Sequence, residues 1–318
     1  MRRLTHLMAH LTATCSLLLT SSLTADQFDI KKVDGGLEVH RDGKLFTRYL
    51  LKSGAKPILW PVIGPHGNEI TRAFPMRDAG ADERADHHHH RSFWFTHGNV
   101  NGIDFWSEGD GHGDIEHRKF TKVMSGPNAV IVSRNDWLGP DKTKVCEDLR
   151  RLTFGGDGTV YWIDFDATVT ASEGPLTFGD TKEGSFGVRI AGSMKVTAEK
   201  GGRIINSHGD TDVKAWGKQS PWVDYHGPLQ GKQVGIAIMN HPSSFRYPTY
   251  WHVRTYGLFT ANPFGLHHFK GSNDVDGSHR MEKGQTMQLR YRVLFHEGDE
   301  KQAGIAERFA AYAESKKE

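Results

Sequence analysis

From about residue 28 to 297 apolar and polar positions alternate with a period of two, and Gly, Asp, Asn and Pro break the alternation into short runs. The clearest run is Thr159 to Thr170, where Tyr161, Ile163, Phe165, Ala167 and Val169 share one face and Trp162, Asp164, Asp166 and Thr168 the other. That is the pattern of an antiparallel strand with one buried side. Just before it, Gly155-Gly156-Asp157-Gly158 predicts a hairpin, so Asp148 to Phe154 and Val160 to Thr170 are expected to pair. Met287 to Phe295 repeats the pattern, with Met287, Leu289, Tyr291, Val293 and Phe295 inward and Gln288, Arg290 and Arg292 outward. Further strands are expected over Leu37 to Tyr49, Ala129 to Trp137, Ser193 to Ala198, Val213 to Trp222 and Val234 to Met239. A helical period appears only in Lys301 to Lys316, through Ala303, Ile305, Ala306, Phe309 and Tyr312.

These elements predict an all-β fold, a large antiparallel β-sandwich of two sheets with a C-terminal helix. No self-similarity at 20 to 50 residues suggests propeller blades, and no Pro/Ser linker divides the chain, so one domain is expected over residues 26–318. Residues 1–25 read as a secretory signal: Met1-Arg2-Arg3, a short apolar stretch from Leu11 to Leu19, then small and polar residues to Ala25. A periplasmic or secreted protein is the expectation. The leucine-led pattern of a lipoprotein signal is poorly matched before Cys15. With the leader removed Cys146 stands alone, so no intramolecular disulfide can hold the fold.

The 318 residues carry 40 basic and 38 acidic side chains, a formal charge of +2, with no basic cluster interleaved with aromatics. Nucleic acid is thereby excluded as the expected partner. Nothing after residue 26 approaches a membrane-length apolar run, so no membrane span is expected.

Chemistry concentrates in three segments. Asp86 to Gly98 packs five histidines, one arginine and three aromatics into thirteen residues. Imidazole exchanges protons near neutral pH and binds metals, while aromatic faces can stack on a sugar ring. If extended, this segment places His87, His89, Arg91, Phe93, Phe95 and His97 on one side and His88, His90, Ser92, Trp94 and Thr96 on the other. His87 and His89 at i, i+2 can chelate a metal, but spacing fixes no third ligand, so the cofactor is left unknown. Proton transfer and hydrogen bonding are the expected roles. The second segment, Asn240 to Phe269, is punctuated by Gly, Pro and Asn and holds His241, Tyr250, Trp251, His252, Arg254, His267 and His268. Core aromatics and turn-capping polar groups are the plain alternative for each residue taken singly. In the third, Phe178 to Arg189, Glu183 sits among glycines and is the expected general acid or base, with Asp224 as a weaker second carboxylate. Phosphate loops, dinucleotide fingerprints, paired zinc cysteines and nucleophile-elbow serines are absent.

Four ordered blocks carry a resemblance: Tyr49 to Arg72, Asp86 to Trp106, Leu176 to Arg189, and Gly235 to Gly265 with His241-Pro242 and Tyr250-Trp251-His252-Val253-Arg254. Through them the chain resembles the exported bacterial family labelled methane oxygenase PmoA-like. It departs where that family reads Asp-His-Pro-His-His-Arg, since His88 replaces the proline. The resemblance implies a galactose-mutarotase-like β-sandwich whose relatives act on or bind carbohydrates, not a bundle of membrane helices. The expected function is therefore a carbohydrate-active enzyme, a lyase, hydrolase or epimerase on a glycoside or uronide. His90, His252 and Glu183 would be catalytic; Arg91, Arg189 and Arg254 would hold a carboxylate or oxyanion. Trp94 and Trp251 would stack on the sugar, with His87, His89, His97, Asp224 and His241 completing the binding set. A non-catalytic carbohydrate-binding protein is the alternative, because the same side chains serve binding equally well.

Overall fold

A computed structural model describes residues 26–316. The leader, with Cys15, lies outside the described residues. In chain order the strands are β1 Phe28–Val33, β2 Gly36–Arg41, β3 Lys44–Ser53, β4 Lys56–Val62, β5 Phe93–His97, β6 Asp114–Met124, β7 Ala129–Leu138, β8 Lys144–Gly156, β9 Tyr161–Thr170, β10 Leu176–Phe178, β11 Gly184–Arg189, β12 Arg203–Asn206, β13 Trp222–Leu229, β14 Lys232–Asn240, β15 Tyr250–Val253, β16 Leu258–Asn262, β17 His279–Met281 and β18 Thr286–Glu297. The helices are α1 Leu266–Lys270 and α2 Ile305–Ala313.

Two eight-stranded sheets stack face to face, the first in the order β1-β2-β3-β4-β5-β11-β16-β15 and the second β12-β13-β14-β18-β9-β8-β7-β6. Every pairing of named strands is antiparallel, including a separate β10–β17 ribbon. The shared interior follows from the period-two faces: Phe186 of β11 stacks on Tyr291 of β18 with ring centres 5.0 Å apart. Phe95 of β5 meets Trp137 of β7 at 5.7 Å. The inward residues expected of β9 and β18 are all buried there, and the β8–β9 hairpin pairs Phe154 with Ile163 as the alternation requires. On the outer face of the second sheet α2 packs Ile305 and Tyr312 against Trp222, Met239 and Leu294. Among the described residues no helix is long and apolar enough to cross a membrane.

Several expected elements differ. Leu37 to Tyr49 is broken by a turn at Asp42 and Gly43, both with positive φ, into β2 and β3. Ser193 to Ala198 forms 3-10 turns rather than a strand: Met194 reaches the core, but the Val196 N–H donates to the Tyr225 hydroxyl instead of to a neighbouring strand. Val213 to Trp222 is mostly loop, opened by a 3-10 turn at Asp212–Ala215, and β13 begins only at Trp222. The helix is shorter than Lys301 to Lys316 because Gly304, at φ 62°, ends a preceding turn.

Candidate functional site

The outer face of the first sheet is where the three segments meet. Strand parity puts Phe93, Phe95, Phe186, Val188, Phe259, Ala261, Trp251 and Val253 into the interior. The same parity turns Trp94, Gly187, Arg189, Leu258, Thr260 and His252 outward. Trp94 there joins Ile58, Trp106 and Leu258 in a smaller apolar cluster.

The histidine run before β5 is not extended. His87 has φ 46°, and the His90 N–H donates to the His87 carbonyl at 2.9 Å, closing a turn. Arg72 fixes that turn from below, donating to Asp86 Oδ1 at 3.0 Å and to the His87 carbonyl at 2.8 Å. The turn thus stacks the rings at i and i+3, while those at i and i+2 meet only edge to face. The result is a column of four rings: Tyr256 on His87 at 5.6 Å, His87 on His90 at 4.8 Å, and His90 on Trp94 at 5.5 Å, all within 16° of parallel. Arg189 flanks the column, its guanidinium 4.7 Å from the Tyr256 ring centre. A cleft of about 450 Å³ opens beside it, lined by Arg72, Asp86, His87, Arg189, Lys195 and Tyr256 among others.

Tautomers follow from the hydrogen bonds. The Arg189 Nη1 donates to His90 Nδ1 at 3.2 Å; a guanidinium cannot accept, so the His90 proton sits on Nε2. Burial, helped by His89 and Arg189, pushes the His90 pKa well below the usual imidazole range. His252 is the reverse: its Nδ1–H donates to the Lys182 carbonyl at 2.7 Å, leaving a lone pair on Nε2. Burial pushes its pKa down to about 4, so it is neutral at pH 7. Glu183 pairs with Lys182 at 2.9 Å, and its charge reaches His252, His89 and Tyr256. The backbone of Glu183 is anchored by the Gly98 N–H at 2.7 Å, an approach that a side chain at 98 would obstruct. Burial likewise lowers His89 to about 4. Arg254 lies 5.5 Å from the centre of the Trp216 ring and 5.8 Å from that of Tyr256. Among the buried N–H groups here that have no acceptor among the described residues are His90 Nε2, Trp94 Nε1 and Trp106 Nε1, each a deficit of about 1–3 kcal/mol.

Residues 36–310 match the family model described as "Family of unknown function (DUF6807)". The chain belongs to that family. The PmoA-like assignment does not stand, because the family model that matches is this one and it carries no known function. No curated protein matches the DUF6807 chain. Among solved structures it is similar to a galactose mutarotase-like protein from Lactobacillus casei, at 9% identity and TM-score 0.39, over 85% of this chain and 100% of that one. It is also similar to the GH36 α-galactosidase AgaB from Geobacillus stearothermophilus, at 10% identity and TM-score 0.35, over 86% of this chain and 39% of that one. Both overlaps are loose, and the two-sheet architecture of the DUF6807 chain rests on its own strand pairings.

Of the residues singled out from sequence, this face of the DUF6807 chain gathers His87, His89, His90, Trp94, Glu183, Arg189, His252 and Arg254. Five others lie elsewhere. Arg91 donates to Glu108 at 2.8 Å and to Ser53, next to the wholly buried Lys56, which also bonds Glu108 at 2.6 Å. His97 is buried against Phe178 and Phe264, and its Nε2–H donates to the Gly179 carbonyl at 2.8 Å. Trp251 points inward because it has the opposite parity to His252, and its N–H donates to the Ser220 carbonyl. Asp224 belongs to β13 of the second sheet, clasped at 2.6 Å by both His226 and His296. His241 packs on Tyr312 of α2 and bonds the Ser315 carbonyl. Trp94 is no stacking platform either, since His90 covers one face and Gly187 lies under the other. His87 and His89 meet edge to face at 5.8 Å, and among the described residues no metal-ligating triad includes them. Sequence reading passed over Arg72, Trp106, Lys195 and Tyr256. Only Tyr256, an aromatic at the β15–β16 turn, carried a local signal.

Proposed function

We propose that this protein is an exported carbohydrate-active enzyme, working by acid–base catalysis on a sugar that bears a carboxylate or carbonyl group. One observation carries the reading: two histidines, neutral at pH 7 and protonated on opposite ring nitrogens, share one sheet face with Glu183, Arg189 and Arg254. A lyase or epimerase step needs a base to take a proton beside a carbonyl and a donor to hold the developing oxyanion. His252 Nε2 supplies the lone pair, and the acceptor-less N–H groups of His90 and Trp106 suit the donor role. Arg189 and Arg254 hold the anionic group, while the partly exposed Trp216 offers a ring at the rim. Met1-Arg2-Arg3 and the apolar stretch after it support export.

The test is a screen of uronides, oligosaccharides and 3-keto-glycosides with wild type beside His252→Ala, His90→Asn and Glu183→Gln. Turnover should fall about 10²- to 10⁴-fold in His252→Ala. The acid limb of kcat/KM should lie near pH 4, where His252 is protonated, not near 6.5. Turnover retained in all three variants sinks the assignment; a glycan bound tightly by wild type and never converted makes this a binding protein instead.

A further inference from the structure

Asp180, His267 and His268 each present one ligating atom within 4.8 Å of the other two. Asp180 lies in the β10–β11 loop and both histidines on α1, so the group joins two elements far apart in sequence. The second such triad among the described residues, Asp224, His226 and Glu300, differs in kind. There each Asp224 oxygen already accepts a histidine N–H in good geometry, with His296 as the second donor.

The Asp180 carboxylate is divided in function. Its Oδ2 accepts the backbone N–H groups of His267, at 3.0 Å, and Gly277, at 2.5 Å, which fixes the carboxylate plane. Its Oδ1 lies 2.6 Å from His267 Nδ1, within ion-pair distance, yet among the described residues it has no hydrogen-bond partner, because the contact is off the line an N–H would need. The Asp180 side chain is only 9% exposed, so water does little to relieve that oxygen. His268 Nδ1 is likewise buried with no hydrogen-bond partner among the described residues. Consecutive helical residues diverge by about 100°, since a turn takes 3.6 residues, yet the two imidazole rings stand 3.8 Å apart, centre to centre. Two buried ligand atoms without hydrogen-bond partners, Asp180 Oδ1 and His268 Nδ1, set beside His267 Nδ1, are the arrangement a shared cation satisfies.

The supporting shell is rigid. The loop bearing Asp180 is hung from two histidines, His97 donating to the Gly179 carbonyl and His252 to the Lys182 carbonyl. Arg246 sets a positive charge nearby, but its guanidinium is spent on the carbonyls of Pro263, Gly277 and Ser278.

We infer that Asp180, His267 and His268 form a binding site for one divalent first-row transition-metal ion, with the remaining coordination position open. Two imidazoles and one carboxylate suit zinc with a fourth position free, and also ferrous iron; magnesium and calcium prefer all-oxygen sets. The inference stands apart from the acid–base reading, which uses neither histidine of α1.

The experiment takes the tag-free full chain, stripped with a chelator and titrated with Co(II), Zn(II), Fe(II) under anoxic conditions, and Mg(II) as control. Wild type should bind one equivalent of Co(II) with a visible ligand-field spectrum, displaced by Zn(II) or Fe(II), and Mg(II) should not compete. Loss of an outer-shell group typically weakens metal binding 10- to 100-fold, so His267→Ala and His268→Ala, which lose a ligand, should weaken it by more than about 100-fold. His87→Ala/His89→Ala should bind as wild type does. Unfolding in chelator confirms that each variant is folded. Should the alanine variants not fold, Asp180→Asn, whose amide oxygen can still take both backbone N–H groups, carries the test. Absence of saturable binding overturns the inference, as does binding that survives at Asp180, His267 and His268 variants but is lost with His87 and His89.

Discussion

Gly187 shows how one residue sets the site. It sits opposite Trp94 in the β5–β11 register, and a Cβ there would stand 2.7 Å from the indole and 3.0 Å from the Thr260 methyl. The indole therefore lies flat on bare backbone, and its other face is free to carry His90 and the ring column above. Gly187→Ala should cost about 1–3 kcal/mol, the usual penalty of overpacking a filled interior, and should shift the tryptophan fluorescence as Trp94 is displaced. Urea unfolding that moves by less than about 0.5 kcal/mol, with unchanged emission, means Trp94 does not pack as described. His252 and Trp251 illustrate the same scale from the other side. Period two alone requires that these neighbours face opposite ways, so only one of them can line the outer face. Burial of the sheet interior decides that it is the histidine.

At the scale of elements, β9, β18 and α2 are tied by charge as well as by apolar contact. Asp166 faces Arg290 and Asp164 faces Arg292 in the strand register, paired at 2.9 and 2.6 Å, and the Arg292 guanidinium lies 4.5 Å from both the Trp162 and Tyr312 ring centres. Arg292→Ala leaves Asp164 without its partner under the helix. A fully buried broken pair costs about 3–5 kcal/mol; with the two side chains 17% and 19% exposed, about 2–3 kcal/mol is expected. Asp164→Leu/Arg292→Leu should recover most of it in equilibrium denaturation, and a double variant as unstable as Arg292→Ala would show that the ion pair is not the cause. These strands were legible in the sequence because one face of each is buried along its whole length, so apolar residues recur at every second position. Ser193 to Ala198 misled for the same reason in miniature: two alternating apolar residues suffice to bury Met194, and a 3-10 turn does that as well as a strand. The histidine run was conspicuous as chemistry but not as geometry. Its turn depends on Arg72, which lies 15 residues before His87 and makes its contacts through that side chain. Arg189, Glu183 and His252 were each visible singly. That they share a face with His90 follows from the β5-β11-β16-β15 strand order, which no local pattern records.

For the whole molecule, buried histidines make stability depend on pH in a direction the structure fixes. Burial holds His89, His97 and His252 down at about 4 from an ordinary 6.5, and lowers His90 as well. Between those values the unfolded chain binds protons that the folded chain refuses, so stability rises with pH through this window and falls as acid is added from 6.5 toward 4. His226 works the other way: Asp224 raises its pKa, and its contribution, full below the unfolded value, is lost as pH climbs through the folded one. Glu108, held down at about 2 by Arg91 and Lys56 against the cost of burial, adds stability above about 4.5 that is lost on going toward pH 2. The histidine and carboxylate windows thus meet near pH 4 to 4.5. For His97, wholly buried, the interval from 6.5 to about 4 corresponds to on the order of 3 kcal/mol. Its proton also holds the Gly179 carbonyl, and with it the loop that carries Asp180 and Glu183. His97→Gln, which keeps an amide donor in reach of that carbonyl, should make the fall in urea midpoint between pH 6.5 and 4.5 shallower by the share of one buried histidine in four, while leaving the fall below pH 4.5 in place. A wild-type midpoint that is level from pH 7 to 4.5 would show that the buried histidines do not govern acid stability here, and a slope the substitution leaves untouched would show that His97 is not among those that do.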